Sequence, residues 1–133
     1  MSIDTNLKLL INLARIDGDV DPKELEHIKN IALASGISKA ELDLLVSQSH
    51  NVLIPQNLTD EQRFECIFNL VQLMKIDERL FENEMKYCSQ IAYKLGYNQS
   101  VMFELMLNVK TVKMEKSEID NLRRSTIKHL REE

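Results

Sequence analysis

Four carboxylates lie close together in the N-terminal part of the chain, and their type and spacing could support metal chemistry. Asp17, Asp19, Asp21 and Glu24 fall within eight positions, directly after an apolar run. Carboxylate oxygens suit Ca²⁺ or Mg²⁺. Transition metals favour His or Cys, and this segment contains neither. The pattern therefore predicts either a weak divalent-cation site or a set of helix caps on a solvated loop.

The acidic segment does not fit an EF-hand. Its three aspartates would take loop positions 1, 3 and 5. Position 6 must turn sharply and needs Gly, but Pro22 stands there. Position 12 needs a bidentate Glu, but Ile28 stands there. An EF-hand is therefore excluded.

The residues from Asp21 to Glu24 also favour a helix start. Asp21 would cap the free backbone N–H groups, Pro22 would take the first helical position, and Glu24 would bond back to the cap. Capping accounts for these residues without a ligand. It does not account for Asp17, which falls at the C-terminal end of the preceding predicted helix, where a negative charge opposes the helix dipole.

The chain repeats itself at a spacing of 60 residues, without a gap from residue 7 to residue 46. The matching pairs include Ile16-Asp17 with Ile76-Asp77, Glu24 with Glu84, Ile31-Ala32 with Ile91-Ala92, and Gly36 with Gly96. The capping residue does not recur, because Phe81 stands opposite Asp21. The recurring feature is an Asp followed by a Glu seven residues later, so Asp77 and Glu84 form a second, weaker candidate metal site.

Composition and periodicity predict an all-α fold. The 133 residues are 44% hydrophobic with only 3 Gly and 2 Pro, which favours long helices. Helical spacing of apolar residues predicts three helices in each copy. We therefore expect one domain over residues 1–133, a bundle of about seven helices. It comprises two three-helix units, at about 3–49 and 59–110, and a C-terminal helix at about 117–131.

The same periodicity predicts which side chains face the core. Leu25, Ile28 and Ile31 are expected on the buried face of the second helix, with Ile31 and Ile91 as equivalent buried positions. The C-terminal helix is expected to bury one face, made of Ile119, Leu122, Thr126, Ile127 and Leu130.

Other chemistry-bearing residues give no catalytic pattern. Cys66 and Cys88 fall in helical stretches and are expected to be small buried hydrophobes. The three histidines are scattered, and His27 is expected at the surface. With no nucleophile pattern and no Gly-rich phosphate loop, the sequence predicts that the protein is not an enzyme.

Net charge and hydropathy limit the classes of partner that can be expected. The net charge is −4, although residues 110–131 carry 7 basic and 3 acidic residues, a net of +4. Overall acidity argues against nucleic-acid binding, while the basic C-terminal helix leaves it open as a weaker alternative. No segment is long enough to span a bilayer, so a cytoplasmic protein without direct membrane insertion is expected.

The acidic segment resembles the tellurite-resistance TerB-like family, of the type found as an N-terminal domain in DnaJ-like co-chaperones. The stretch "LARIDGDVDPKELEHIKNIALASGIS" carries the family's pattern at Ala14, Asp17-Gly18, Val20, Glu24, Ile31-Ala32 and Gly36. The stretch "LMKIDERLFENEMKYCSQIAYKLGY" matches it more loosely. There Glu78 replaces the glycine, and Arg79 and Phe81 replace two aspartates, so a second metal site would be weak or lost.

The resemblance covers roughly residues 3–110. It implies a helical bundle whose acidic residues bind Ca²⁺ or Mg²⁺. It also implies a binding or scaffold module with protein partners in stress-response and membrane-linked complexes, which would place the protein at the periphery of such complexes. A metal-dependent enzyme, or a regulator of one, is the alternative. Homo-oligomerisation is left open.

Overall fold

A computed structural model of the protein describes residues 3–16, 20–48, 50–76 and 82–131, and this part of the chain is helical. Its α-helices are α1 Ile3–Ala14, α2 Pro22–Ala34, α3 Lys39–Val46, α4 Asp60–Ile76, α5 Glu82–Lys94, α6 Val101–Asn108 and α7 Lys116–Thr126, followed by a 3₁₀ turn, Ile127–His129. The all-α prediction is confirmed. None of these helices is long and apolar enough to cross a membrane.

Side chains cap the starts of α3 and α4. The Ser38 hydroxyl accepts a hydrogen bond from the Glu41 backbone N–H at 3.2 Å. Before α4, the backbone N–H of Gln62 donates to the Thr59 hydroxyl at 3.1 Å, and the backbone N–H of Thr59 donates to the Gln62 side chain at 3.0 Å. These reciprocal bonds satisfy N–H groups that the first helical turn leaves open.

Helices α2 and α5 end in the same way. The glycines that follow them, Gly36 and Gly96, have φ angles of +86° and +101°, a region that side chains with a Cβ rarely adopt. The residue after each glycine donates its N–H back to the carbonyl of Ala32 or Ala92, at 2.9 and 3.0 Å. This left-handed C-cap closes both helices at glycines that lie 60 positions apart.

Helices α1 and α4 form the centre of the bundle. They pack against each other, α1 also contacts α2, α3 and α5, and α4 also contacts α2, α5, α6 and α7. Because α1 has neighbours on most sides, half of its residues are buried: Leu7, Leu9, Leu10, Ile11, Leu13 and Ala14. The core is built from these aliphatic side chains together with those of α4.

The buried face of α2 differs from the predicted one. Its buried residues are Glu24, Ile28 and Ala32, spaced four apart. Leu25 follows Glu24 around the helix and is 37% exposed. Ile31 lies at the edge of the buried face and is only partly buried, whereas Ile91 is 5% exposed. The predictions that Leu25 faces inward and that Ile31 matches Ile91 in burial were therefore wrong.

The C-terminal helix packs within its own chain. Helix α7 contacts α4 and α6, and its buried residues are Leu122 and Thr126. The α-helix stops at Thr126, where the backbone tightens into the 3₁₀ turn. This change of pitch turns Ile127 outward to 42% exposure, so the prediction that Ile127 faces the core was wrong.

The segment after α7 is tied to the turn between α5 and α6. Tyr97 and Leu130 form an isolated antiparallel bridge. The backbone N–H of Asn98 donates to the carbonyl of His129 at 2.7 Å, and the N–H of Arg131 donates to the carbonyl of Gly96 at 2.7 Å. Backbone pairing therefore fixes the path of the chain as far as Arg131.

Candidate functional site

Asp21 caps α2 as the sequence indicates. Its carboxylate accepts a hydrogen bond from the backbone N–H of Lys23 at 2.8 Å, and its own backbone is extended. Pro22 is the first residue of the helix, where its missing N–H costs nothing. The capping role of Asp21 needs no metal, although one carboxylate oxygen can cap while the other binds a cation.

Glu24 and Glu84 are the only buried acidic residues in the described part of the chain. Glu24 is 4% exposed and Glu84 is 3% exposed. Each lies in the first turn of its helix, α2 or α5. They are 60 positions apart, and each follows an acidic stretch in the sequence. A carboxylate near a helix N-terminus interacts favourably with the helix dipole, but its burial still has a desolvation cost.

The rest of the candidate metal set cannot be placed. Asp17 and Asp19, before α2, and Asp77, before α5, lie outside the described residues. Within ranges 3–16, 20–48, 50–76 and 82–131, no group of three or more His, Cys, Asp or Glu side chains is arranged to hold a metal. Of the candidate ligands, the structure therefore describes Asp21 and Glu24 in the first candidate metal site and Glu84 in the second.

Polar side chains at the ends of α1 and α4 hold the C-terminal ends of α3 and α6. The Arg15 guanidinium donates to the carbonyl of Val46 at 2.9 Å. The Lys75 ammonium donates to the carbonyl of Met106 at 2.7 Å, and also to that of Val109 at 2.5 Å. Carbonyls at a helix C-terminus lack intrahelical partners, so these cations cap α3 and α6.

A second pair of contacts, like that of Arg15 and Lys75, is made by two side chains 60 positions apart. The Asn12 side chain donates to the carbonyl of His50 at 2.6 Å and accepts from its N–H at 2.8 Å. The Gln72 side chain donates to the carbonyl of Lys110 at 3.0 Å. In both cases the donor lies 38 residues before the acceptor, and Asn12 and Gln72 lie 60 positions apart. These contacts hold the chain just after α3 and α6.

His27 does not lie at the surface as the sequence predicts. It is partly buried on α2, one turn after Glu24. Its Nε2 atom is inaccessible to solvent and has no hydrogen-bond partner among the described residues. Burial lowers the pKa of His27 below its ordinary value, because the charged imidazolium loses hydration. The side chain is therefore held in its neutral form.

The two thiols are buried and unreactive. Cys66 is 2% exposed and Cys88 is 0% exposed, and neither forms a disulfide. Burial raises the pKa of both thiols to about 12, and the nearby charges of Glu65 and Glu84 act in the same direction. Because only a thiolate is nucleophilic, neither cysteine can act as a nucleophile at neutral pH.

A cluster of polar side chains that the sequence analysis missed joins α6 to the C-terminal segment. His129 Nε2 lies 2.7 Å from a Glu104 carboxylate oxygen, and His129 Nδ1 lies 2.8 Å from the Ser100 hydroxyl. The Ser125 hydroxyl donates to the other Glu104 oxygen, and Lys128 Nζ lies 3.7 Å from it. No short-range sequence signal exists, because the members are separated by up to 29 residues.

Electrostatics favour the charged form of Glu104. Partial burial raises its pKa, but hydrogen bonds from Ser125 and His129, together with the charge of Lys128, outweigh burial and place the pKa below its ordinary value. Glu104 is thus an anion that holds α7 and the 3₁₀ turn against α6. A serine hydroxyl, an imidazole and a carboxylate in this order also form the sequence of contacts found in nucleophilic hydrolysis.

Comparison of the chain with family models, curated proteins and solved structures finds no match. The likeness to the TerB-like family is carried by the sequence motifs alone.

Proposed function

We propose that the protein is a TerB-like helical binding module whose acidic segments bind a divalent cation, Ca²⁺ or Mg²⁺. The observation that carries the proposal is the burial of Glu24 and Glu84 in the first turns of α2 and α5. Acidic side chains are rarely buried unless a charge or a metal compensates them. Each glutamate follows an acidic segment in the sequence, which would supply the remaining oxygen ligands.

The first acidic segment is the stronger candidate. It carries Asp17, Asp19 and Asp21 before Glu24, whereas Arg79 and Phe81 stand at two of these places before Glu84. Fewer carboxylates mean weaker binding of a hard cation. In this proposal the first segment binds the metal, and Asp77 with Glu84 is a weakened second copy.

The proposal includes an internal duplication, with two three-helix units packed about a pseudo-twofold axis. Equivalent capping contacts support it: Arg15 and Lys75 each donate to a carbonyl 31 residues later. The matching left-handed caps at Gly36 and Gly96 support it too. A cation would then bind where the first two helices of a unit meet.

The biological role that follows is scaffolding rather than catalysis. A cation bound between α1 and α2 would contribute to a surface for a protein partner, and a change in cation concentration would tune binding to that surface. Partners in stress-response and membrane-associated complexes are part of the proposal, and they rest on the family resemblance.

A thermal-melt experiment tests the cation site. Millimolar Ca²⁺ or Mg²⁺ should raise the Tm of the wild type by several degrees, because a ligand present at one hundred times its Kd stabilises the native state by about 2.7 kcal/mol. Glu24→Gln should abolish most of this rise. The matched control is Glu26→Gln, which removes the same charge from an exposed position on the same helix.

The result decides between a metal site and a capped loop. Loss of the response in Glu24→Gln with retention in Glu26→Gln supports the proposal. A wild type whose Tm does not change with either cation, with no heat of binding in calorimetry, contradicts it. Asp17→Asn and Asp19→Asn test whether the preceding segment supplies ligands, and each should weaken the response.

A second candidate function is hydrolysis, favoured by the Ser100–His129–Glu104 contacts. With Glu104 on Nε2, Nδ1 of His129 would be free to accept the Ser100 proton while the hydroxyl attacks an ester carbonyl. Hydrolysis of p-nitrophenyl acetate, compared between wild type and Ser100→Ala, tests this directly. Equal rates for the two proteins leave the cluster as a structural tie, in agreement with a non-enzymatic module.

A further inference from the structure

A basic cavity lies at the C-terminal end of α5, whereas Glu84 lies in the first turn of that helix. Its volume is about 480 Å³, and its lining includes Gln56, Arg63, Tyr93, Lys94, Gly96 and Arg131. Three of these residues are cations, and none of the residues that line the cavity is acidic. This concentration of positive charge stands out in a chain whose net charge is −4.

The two arginines are held at the same edge of the cavity, beside Gly96. The Arg131 backbone N–H donates to the Gly96 carbonyl at 2.7 Å. Its guanidinium lies over the ring of Tyr93, 3.7 Å from the ring centroid. On the other side, a Cβ added to Gly96 would lie 3.4 Å from Nη1 of Arg63. Arg63 and Arg131 therefore both lie beside Gly96, Arg63 through its guanidinium and Arg131 through its backbone.

The cationic residues of the cavity form no ion pairs within the described residues. Ion pairs form elsewhere on the surface, such as Lys86 with Glu82 and Lys110 with Glu118. Arg63, Lys94 and Arg131 form none within 4.0 Å in ranges 3–16, 20–48, 50–76 and 82–131. Cations gathered around one cavity repel each other, and a bound anion would relieve that repulsion.

We propose that this cavity binds the phosphate group of a small soluble molecule. Planar guanidinium groups match phosphate oxygens in pairs, which makes arginine the preferred residue for phosphate recognition. Lys94 adds a point charge, and the Gln56 amide adds a neutral donor. The volume lies in the range of small-molecule pockets, so it accommodates more than the phosphate itself. The site is separate from the acidic segments and does not rest on the proposed cation binding.

The grouping of the charges around one cavity favours a small phosphorylated ligand over a polymer. The three cations surround one cavity and do not form a stripe that could follow a nucleic-acid backbone. The stacked Tyr93 and Arg131 pair forms one wall of the cavity, and a guanidinium already held over an aromatic ring loses little further freedom on binding.

Titration with pyrophosphate tests the site. Calorimetry on the full chain should show saturable binding to one site, and pyrophosphate should raise the Tm. Arg63→Gln and Arg131→Gln should each weaken binding about tenfold, because one charge-assisted hydrogen bond is worth roughly that factor. Lys94→Gln should weaken binding less, since the Lys94 side chain is exposed to solvent and its charge is screened. Because Lys94 is exposed, Lys94→Gln should leave the fold intact. This variant therefore tests the site even if an arginine variant has a fold defect.

The matched control is Arg124→Gln, which removes an exposed arginine of α7 that is not part of the cavity lining. It should bind pyrophosphate as the wild type does. Sodium chloride at equal ionic strength should not reproduce the effect, because general screening does not depend on these residues. Circular dichroism of each variant establishes that it is folded before it is titrated.

A vesicle arm identifies the source of the phosphate. The protein should sediment with phosphatidic acid vesicles no more than with phosphatidylcholine vesicles. Binding to the acidic vesicles alone, without binding of pyrophosphate, would overturn the assignment to a soluble ligand. Absence of saturable pyrophosphate binding at millimolar concentration, or equal binding by wild type and both arginine variants, would also overturn it.

Discussion

The chemistry of Cys66 and Cys88 is set by their burial rather than by their residue type. With the pKa of each thiol raised to about 12, chiefly by burial, almost no thiolate exists near neutral pH. We expect the folded protein to be inert to Ellman's reagent at pH 8 and to react at both thiols once it is unfolded in guanidinium chloride. Fast reaction of either thiol in the folded protein would show that its helix opens locally.

His27 makes stability depend on pH in a predictable direction. Burial lowers the pKa of His27 in the folded state, so the unfolded chain binds the proton at a higher pH. Its contribution to stability is therefore complete above the ordinary pKa of about 6.5 and is lost as the pH falls through that value toward the folded pKa. We expect His27→Gln to flatten the decline in the free energy of unfolding between about pH 7 and pH 5.

Urea melts at a series of pH values measure this effect. The slope of the free energy of unfolding against pH should be smaller in His27→Gln than in the wild type. Identical slopes in the two proteins would mean that His27 is protonated equally in both states, contrary to its burial.

Residue roles that depend on local sequence were predictable, and those that depend on tertiary contacts were not. The capping role of Asp21 follows from its place before Pro22, and the structure contains it. Glu104 and His129 pair although they are 25 residues apart in the sequence, so no local sequence pattern predicts their contact. The partial burial of His27 likewise depends on which helices pack over α2. The sequence of α2 alone does not give that information.

At the scale of elements, the cations at the ends of α1 and α4 hold the C-terminal ends of α3 and α6. Lys75 binds two carbonyls from a partly buried position. We expect Lys75→Met to lower the free energy of unfolding by about 1.5–3 kcal/mol, since the carbonyls at the end of α6 would lose a charged donor. Denaturant melts measure the change. Arg15→Met should act similarly on α3, through Val46.

The matched control is Lys86→Met, which breaks an exposed ion pair with Glu82. Such surface pairs contribute less than about 1 kcal/mol, so this variant should stay close to the wild type. Equal losses for Lys75→Met and Lys86→Met would contradict the capping role.

Helix positions were largely predictable from periodicity and caps, because the signals are local. The boxes at Ser38 and Thr59 mark the starts of α3 and α4. The orientation of α2 was not predictable in full, since a polar residue, Glu24, takes a buried position and shifts the buried face away from Leu25. A hydrophobic pattern assumes that the buried side is apolar, and that assumption fails at this helix.

At the scale of the whole molecule, α7 belongs to the core of its own chain. Leu122 is 6% exposed and packs among the buried residues, whereas Ile127, five residues later, is 42% exposed. We expect Leu122→Ala to lower the free energy of unfolding by about 2–5 kcal/mol. Ile127→Ala should cost clearly less, and chemical denaturation distinguishes the two. Similar small losses would indicate that α7 is not part of the cooperative unit.

The central position of α1 has a consequence for hydrogen–deuterium exchange. A helix with neighbours on most sides cannot detach without breaking most of the core, so its amides can exchange only when the whole molecule opens. We expect the amides of Leu10, Ile11 and Leu13 to show the slowest exchange, with an opening free energy equal to that of global unfolding. Amides in α7, whose main contacts are with α4, α6 and the 3₁₀ turn that follows it, should exchange sooner through partial opening. The first helix of the sequence would thus be the last to release its protons.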